Sequence, residues 1–495
     1  MRRLFPSISD LLIPVFVILL FSGSGGWTAL LSDGDTGWHI RTGELILDTG
    51  TVPAADPFSF SKPNAPWFAW EWLSEVVFAL IHRAAGLKGL VFLSGTVLCA
   101  AAVVLFRHIL WRGAPLHVAF IVTLLAVEAS RIHFLARPHI FTILLVPIAM
   151  WLLDRDRVQP SRAVWLLVPL SAVWANLHGG FLVLISAVCL FAVGAWLRRS
   201  GAWRYTLLAL ACSAATFANP YGYWLHLHIA QYVRSDWILR AVAEFQSPAF
   251  RSESMYKFEI LLFAGICLVP GLLRRKEFET AFLLVFWAHE ALQSARHVPL
   301  YAMISAPSIA IALTGVWNRW THLKPAQSIL GTVRDIMSEA SVHAGKTTPW
   351  TAAFLVLLYV APSGAWPTDF PSARFPVPVV SRNAERLVSR RILTSDEWGG
   401  YLIYRRYPEQ KVYMDGRSDF YGEALGREYL SLMRARGDWA SILERRGFQL
   451  ALLPRSWPLS EVLKRDSNWH AIDEDRHAIL FERVVNSSSP RAASL

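Results

Sequence analysis

Residues 33–50, DGDTGWHIRTGELILDTG, decide how the rest of the chain is read. They follow directly on an apolar run at 11–31 and set two carboxylates, Asp33 and Asp35, two positions apart. Trp38, His39 and Arg41 come next. Trp38 and Leu45 share a helix face by spacing, as do Ile40 and Leu47. The stretch predicts a short helix lying in a membrane interface with Asp33 and Asp35 at its start, where the dipole and free N–H groups stabilise carboxylates. It is either an acidic site just beyond a membrane boundary or a capped helix whose acids merely end a span.

Composition sets the class. The 495 residues are 54% hydrophobic and only 17% charged, against about 25% charged in soluble domains. Apolar runs of about 17–21 residues separated by short basic loops mark a polytopic membrane protein. The net charge of +11 therefore does not indicate a nucleic-acid partner. Its Arg and Lys lie in loops (Arg198-Arg199, Arg274 to Lys276, Arg319 to Lys324) and in the C-terminal part, and read as anchors to the cytoplasmic leaflet. Cys99, Cys189, Cys212 and Cys267 all fall inside apolar runs, as small core residues with no metal or disulfide spacing. The first run is long for a signal peptide and lacks a small-x-small site, so a retained span is expected.

In chain order, the basic start places the loop 32–70 outside the cytoplasm. Further runs begin at 71–84 and cover about 88–107, 116–130, 138–153, 163–177, 180–197, 204–218, 256–273, 278–294, 298–316 and 349–366. With the first run, that count is even and returns the chain to the cytoplasm, yet the basic later loops put the C-terminal part outside. The run at 71–84 is therefore suspected of being re-entrant, or two runs of being miscut. Residues 318–348 read as a polar cytoplasmic connector. Residues 367–485 read as a small extracytoplasmic α/β domain, with strands at 401–404, 411–414, 449–453 and, as an edge, 477–482, and helices at 423–436 and 439–446. The Ser-rich tail 486–495 is expected to be disordered. Its Asn486-Ser487-Ser488 matches a glycosylation acceptor.

Ionisable groups at membrane depth are costly and mark pathways or sites. Four clusters qualify: Arg131 and His133 with Arg137 and His139; Trp174 to Gly180, including Asn176 and His178; Asn219 to Gly222 with His226 and His228; and His289-Glu290 with Arg296 and His297. Taken singly, each is also what a span terminus with snorkelling side chains looks like. Taken together, Arg and His opposite two carboxylates suit an anionic phosphate beside a general base. No Walker, GxGxxG or HExxH pattern occurs. Asp33 and Asp35 could contribute oxygens to a divalent cation.

The chain resembles the GT-C superfamily of membrane glycosyltransferases, which includes protein O-mannosyltransferases, the aminoarabinose transferase of lipid A and the oligosaccharyltransferase catalytic subunit. The resemblance lies in the acidic pair after the first span, the interfacial helix and the long first loop returning at Glu71. More closely, Asp33 to Ile40, Asp56-Pro57-Phe58-Ser59-Phe60, Glu71-Trp72-Leu73, Trp174 to Gly180, Asp396 to Tyr401 and Asp415-Gly416-Arg417 are similar to a bacterial group of integral membrane proteins with the pattern D-x-D-x-x-W-H-[IL]. The acids are spaced D-x-D rather than adjacent, and no His-Pro-Pro follows Glu71, unlike in the mannosyltransferases.

The resemblance implies a GT-C-like polytopic α-helical membrane protein of about 11–13 transmembrane helices over 1–366, in the cytoplasmic (inner) membrane, with the C-terminal domain outside. It implies transfer of a sugar from a polyprenyl-phosphate donor to a lipid, polysaccharide or protein acceptor. Asp33, Asp35 and Glu71 take the catalytic places. Arg137, His178, Arg296 and His297 are expected at the donor phosphate on chemical grounds, and His39, Arg41, Trp72 and Asn176 at the substrate. The alternatives are a transporter or flippase of a lipid-linked glycan, which calls for an inverted repeat that is not visible, and a non-catalytic partner in envelope assembly. Asp415-Gly416-Arg417 reads first as a β-turn with a structural ion pair.

Overall fold

The computed structural model describes residues 6–21, 25–252, 255–322, 328–343, 348–361 and 366–484. The tail at 486–495 and its Asn486 lie outside them. The chain forms two compact units. One takes Met1–Leu30 and Lys88–Trp366, the other Leu31–Leu87 and Pro367–Leu495. Residues 31–87 group with the C-terminal residues rather than with residues 88–366.

The first unit is helical. Among the described residues, five helices are long and apolar enough to cross a membrane: Trp72–Trp111, Leu116–His133, Gly179–Arg198, Met255–Arg274 and Ala295–Thr321. The first of these is bent. Gly86, at φ 61 and ψ −158, interrupts the helix in a conformation that side chains with a Cβ rarely adopt. The run at 71–84 thus ends at Gly86 and belongs to the second unit. Its Glu75, His82 and Arg83 make it a poor span. Several Arg residues of the basic loops do more than meet headgroups. Arg198 pairs with the fully buried Glu279 at 2.7 Å, and Arg204 grips the buried Asp156 with two bonds of 2.8 and 2.7 Å. Asp154 gathers His108, Arg112 and Arg157 within 2.9–3.5 Å. Buried carboxylates of this kind persist only when paired.

The second unit is built around a four-stranded sheet in the order β1-β2-β4-β3. Its strands are β1 (Ile392–Thr394), β2 (Leu450–Pro454), β3 (Trp469–Glu474) and β4 (Ala478–Arg483). β1 runs parallel to β2, and β2–β4 and β4–β3 are antiparallel. β4 is therefore central, not the expected edge, because β3 covers its far side. Residues 401–404, expected as a strand, belong to the helix Asp396–Arg406. Ser395 caps it through Trp398 N at 3.2 Å, Asp396 and Glu397 occupy the first turn, and Arg405 and Arg406 the last. Those charges complement the helix dipole at both ends. Residues 411–414 supply only a parallel bridge, Val412 to Ser59. The helix Trp439–Arg446 lies where expected, and Ser418–Arg434 begins five residues ahead of the expected 423–436, with a kink at Gly422.

The first-loop helix, Asp35–Thr49, forms as the sequence predicts and ends on Gly50 in the left-handed region. It is not an interfacial helix with one wet face: residues from Asp35 to Ile46 are buried on several sides. Its glycines allow this. A Cβ at Gly37 would stand 2.3 Å from Gly400 O, one at Gly400 2.3 Å from Gly34 O, and one at Gly43 1.9 Å from Glu75 O. Backbones meet directly there, so the helix packs between Asp396–Arg406 and the start of Trp72–Trp111. Gly400→Ala is expected to destabilise the protein by about 1–3 kcal/mol, as overpacking does, and to lower its thermal midpoint. Gly271→Ala, whose Cβ would meet nothing within 4 Å, should leave the midpoint unchanged or slightly raised. Equal midpoints for the two variants would contradict this packing.

Candidate functional site

Each unit carries one group of predicted site residues. In the second unit, Asp33 Oδ1 accepts the Asp35 N–H at 2.8 Å, which fixes the entry of the first-loop helix. Asp35 is buried, and the Asp415-Gly416-Arg417 turn passes so near that a Cβ on Gly416 would lie 1.9 Å from Asp35 Oδ1. One helical turn on, His39 is buried with Nδ1 3.2 Å from Glu75 Oε1 and Nε2 3.7 Å from Glu71 Oε2. The structure thus joins His39 and Glu71, and adds Glu75, which sequence reasoning missed. The signal was available: Glu75 stands four residues after Glu71, and its N–H bonds the Glu71 carbonyl at 3.1 Å. Trp72 is half-buried beside Glu71. Arg41 is committed to the fold, with Nε 2.9 Å and Nη2 2.5 Å from Tyr404 O and Nη1 2.5 Å from Glu44.

Beneath this group sits Arg417, fully buried. It makes a bidentate pair with Asp415 at 2.7 Å to each oxygen and reaches Asp56 at 2.8 Å. The rings of Trp67, Phe420, Phe58, Trp38 and Tyr421 surround its guanidinium at 4.6–5.8 Å. Burial opposes the charge, but Asp415 and its neighbours outweigh it and hold Arg417 well above the ordinary range. Burial, then the Asp415 charge, pushes the Tyr421 hydroxyl far up, and it donates to Asp415 at 2.7 Å. Asp56 itself organises its loop by accepting Phe58 N, Ser59 N and Ser59 Oγ at 3.2, 2.9 and 2.6 Å. Asp415-Gly416-Arg417 is therefore the structural ion pair expected, extended to Asp56.

In the first unit, Arg137 pairs with Glu244 at 2.8 Å, and Arg296 lies 4.5 Å from the centre of the Phe245 ring. Glu244 sits in the connection between two apolar helices and carries no sequence signal. Arg137 first, then Arg296, His133 and His139, hold its carboxyl well below the usual range despite burial. His178 Nδ1 accepts Gly180 N at 3.0 Å and faces Thr142 Oγ1 at 2.8 Å. Trp174 Nε1 donates to the same Thr142 oxygen at 2.8 Å. This network places the His178 proton on Nε2, as a donor. His139 Nε2 bonds His133 O at 2.5 Å, and His297 Nδ1 lies 3.5 Å from Glu290. Arg137, His178 and Arg296 thus share a neighbourhood. Asn176 instead ties two helix ends, donating to Ala172 O and Ala218 O at 2.7 and 2.8 Å.

Chemically, the first unit offers guanidinium and imidazole donors that suit a phosphate, and the second a set of carboxylates around His39 that suits proton transfer. Among the described residues, no group of three or more His, Cys, Asp or Glu could hold a metal ion. A cation at Asp33 and Asp35 would thus need further ligands.

No family pattern matches the chain, and no curated protein matches it. Solved structures do. The archaeal oligosaccharyltransferase AglB from Archaeoglobus fulgidus, in complex with an inhibitory peptide and a dolichol-phosphate, superposes with a TM-score of 0.60 at 11% identity, over 90% of this chain and 69% of that one. ArnT from Cupriavidus metallidurans bound to undecaprenyl phosphate gives 0.52 at 12% identity, over 97% of this chain and 99% of that one. Its apo state gives 0.51 at 15% identity, with the same coverage. These likenesses show the fold: a mostly helical chain similar to AglB and ArnT, with helices long and apolar enough to cross a membrane and a small C-terminal sheet region.

Two outcomes follow from the geometry. Arg417→Met should cost about 3–5 kcal/mol, the usual penalty for stranding buried charges, and adding Asp56→Asn and Asp415→Asn should restore most of it. Denaturant unfolding would show this, and a single variant as stable as the triple one would contradict it. Glu244 has a folded pKa below its unfolded one. Its stabilising contribution is thus complete above the ordinary carboxylate range and fades as pH falls through it toward the folded value. Glu244→Gln should therefore flatten the acid side of the midpoint–pH curve, and a curve of unchanged shape would count against the pairing.

Proposed function

We propose that this protein transfers a sugar from a polyprenyl-phosphate-linked donor to an acceptor on the extracytoplasmic face of the cytoplasmic membrane. The observation that carries this is the joint presence of an Arg137, Arg296 and His178 donor group and a buried acidic group around Asp35, in a fold whose likenesses were solved with a dolichol-phosphate and an undecaprenyl phosphate. Moving 71–84 out of the count of spans leaves an odd number of runs. That supports an extracytoplasmic second unit, in agreement with the basic later loops.

In the reaction, Asp35, with Asp33 beside it, takes the proton from the acceptor hydroxyl. The oxygen attacks the anomeric carbon, and the bond from that carbon to the phosphate oxygen breaks. The electron pair leaves with polyprenyl phosphate, an anion of the kind that the guanidinium and imidazole donors of the first unit suit. Glu71, set by His39, orients the acceptor, and the C-terminal residues help to bind it.

Asp35→Asn should lower transfer about 10²–10⁴-fold, the usual worth of a positioned general base, while leaving the thermal midpoint within a few degrees. Comparative mass spectrometry of envelope glycans, from cells carrying wild type, Asp35→Asn or a deletion, measures this. Asp35→Asn cells with the wild-type glycan profile would overturn the assignment.

A further inference from the structure

Both guanidiniums expected at the donor phosphate are tied to a single turn, Ala243–Phe245. Glu244 holds Arg137 at 2.8 Å, and Phe245 stacks under Arg296 at 4.5 Å. The turn is pinned in place by its backbone. Ser294 Oγ donates to Glu244 O at 2.9 Å, and Ala295 N donates to Gln246 O at 2.9 Å. The Glu244 carboxylate thus stands where an incoming anion would have to bind. The pair is only partly covered, with side-chain exposures of 19% for Arg137 and 29% for Glu244.

A site of this kind has a specificity problem. A bilayer presents phosphodiester headgroups at high local concentration, each carrying a single negative charge, and an uncontested pair of arginines would bind them. An internal carboxylate changes that balance. A competing anion must replace a charge-assisted bond that is already made, and one phosphodiester charge does no better than one carboxylate. A phosphomonoester carries about −1.5 to −2 at neutral pH and gains from the exchange, as does a sugar phosphodiester that makes further contacts. Discrimination by an added repulsive element is a general route to specificity.

We propose that Glu244 is a specificity-determining residue: a resident carboxylate that keeps bulk phospholipid headgroups off Arg137 and yields to a polyprenyl phosphate. The inference rests on the proposed donor site. Native mass spectrometry of the full chain in detergent, with undecaprenyl phosphate and phosphatidylglycerol at equal concentration, tests it. Wild type should retain undecaprenyl phosphate in preference. In Glu244→Gln, the preference should fall about tenfold, within the range by which coupled sites alter one another's affinity, because phosphatidylglycerol retention rises. Glu244→Asp, which withdraws the charge by one methylene, should fall between them and serves if the Gln variant does not fold. In an Arg137→Gln background, the Glu244 effect should vanish.

An unchanged preference in both Glu244 variants overturns the specificity role and leaves the donor site standing. If neither wild type nor Glu244→Gln retains undecaprenyl phosphate, the donor site and the inference fall together. Inorganic phosphate at millimolar concentration should not displace the lipid. If it does, the site recognises free phosphate and the inference is overturned.

Discussion

A guanidinium buried between two aspartates holds the second unit together. Arg417 joins Asp415, in the turn ahead of its own helix, to Asp56, more than three hundred residues earlier in the chain. A charge in that position is tolerable only because both partners are present and aromatic rings close over it. The same ties align the elements above. The 415–417 turn passes the Asp35 carboxylate, and the Asp56 loop turns through Ser59 to bridge Val412. The acidic group around His39 is thus set by a salt bridge that takes no part in its chemistry.

Much of this was legible in the sequence, and the legible parts share a cause. The first-loop helix shows in its spacing, a local property of the chain. The Asp415–Arg417 pair shows because its members are two residues apart. What did not show depends on distant partners. Glu244 sits in an unremarkable connection and becomes meaningful only against Arg137. The helix Asp396–Arg406 reads as a strand if only Tyr401 to Tyr404 are considered, since four large residues fit either period. The Ser395 cap and the terminal charges decide otherwise. β3 is hidden because its burial is one-sided and irregular around the shift between Ala471 and Asp473.

In the first unit, the basic loops have two roles that composition cannot separate. An Arg beside a headgroup and an Arg gripping a buried acid read alike. Arg198 and Arg204 are of the second kind, because Glu279 and Asp156 lie within helices or at their ends with almost no exposure. The acids are the better signal: a carboxylate at membrane depth must have a partner, whereas a basic residue need not. Asp154, with His108, Arg112 and Arg157 around it, follows the same rule.

The second unit is discontinuous, and that has a consequence for how it is made. Residues 31–87 are synthesised first, and their partners at 367–484 come only after the whole of 88–366. At about 5–20 residues per second, that interval is roughly 15–55 s. Throughout it, Asp56 has no Arg417, and the glycine face of the first-loop helix has no Gly400 to cover it. The early segment must stay open, unaggregated and uncleaved while residues 88–366 are made. Its polar, Pro-containing stretch at 51–66, poor in long apolar strands, suits a piece of chain that has to wait for the other half of its fold.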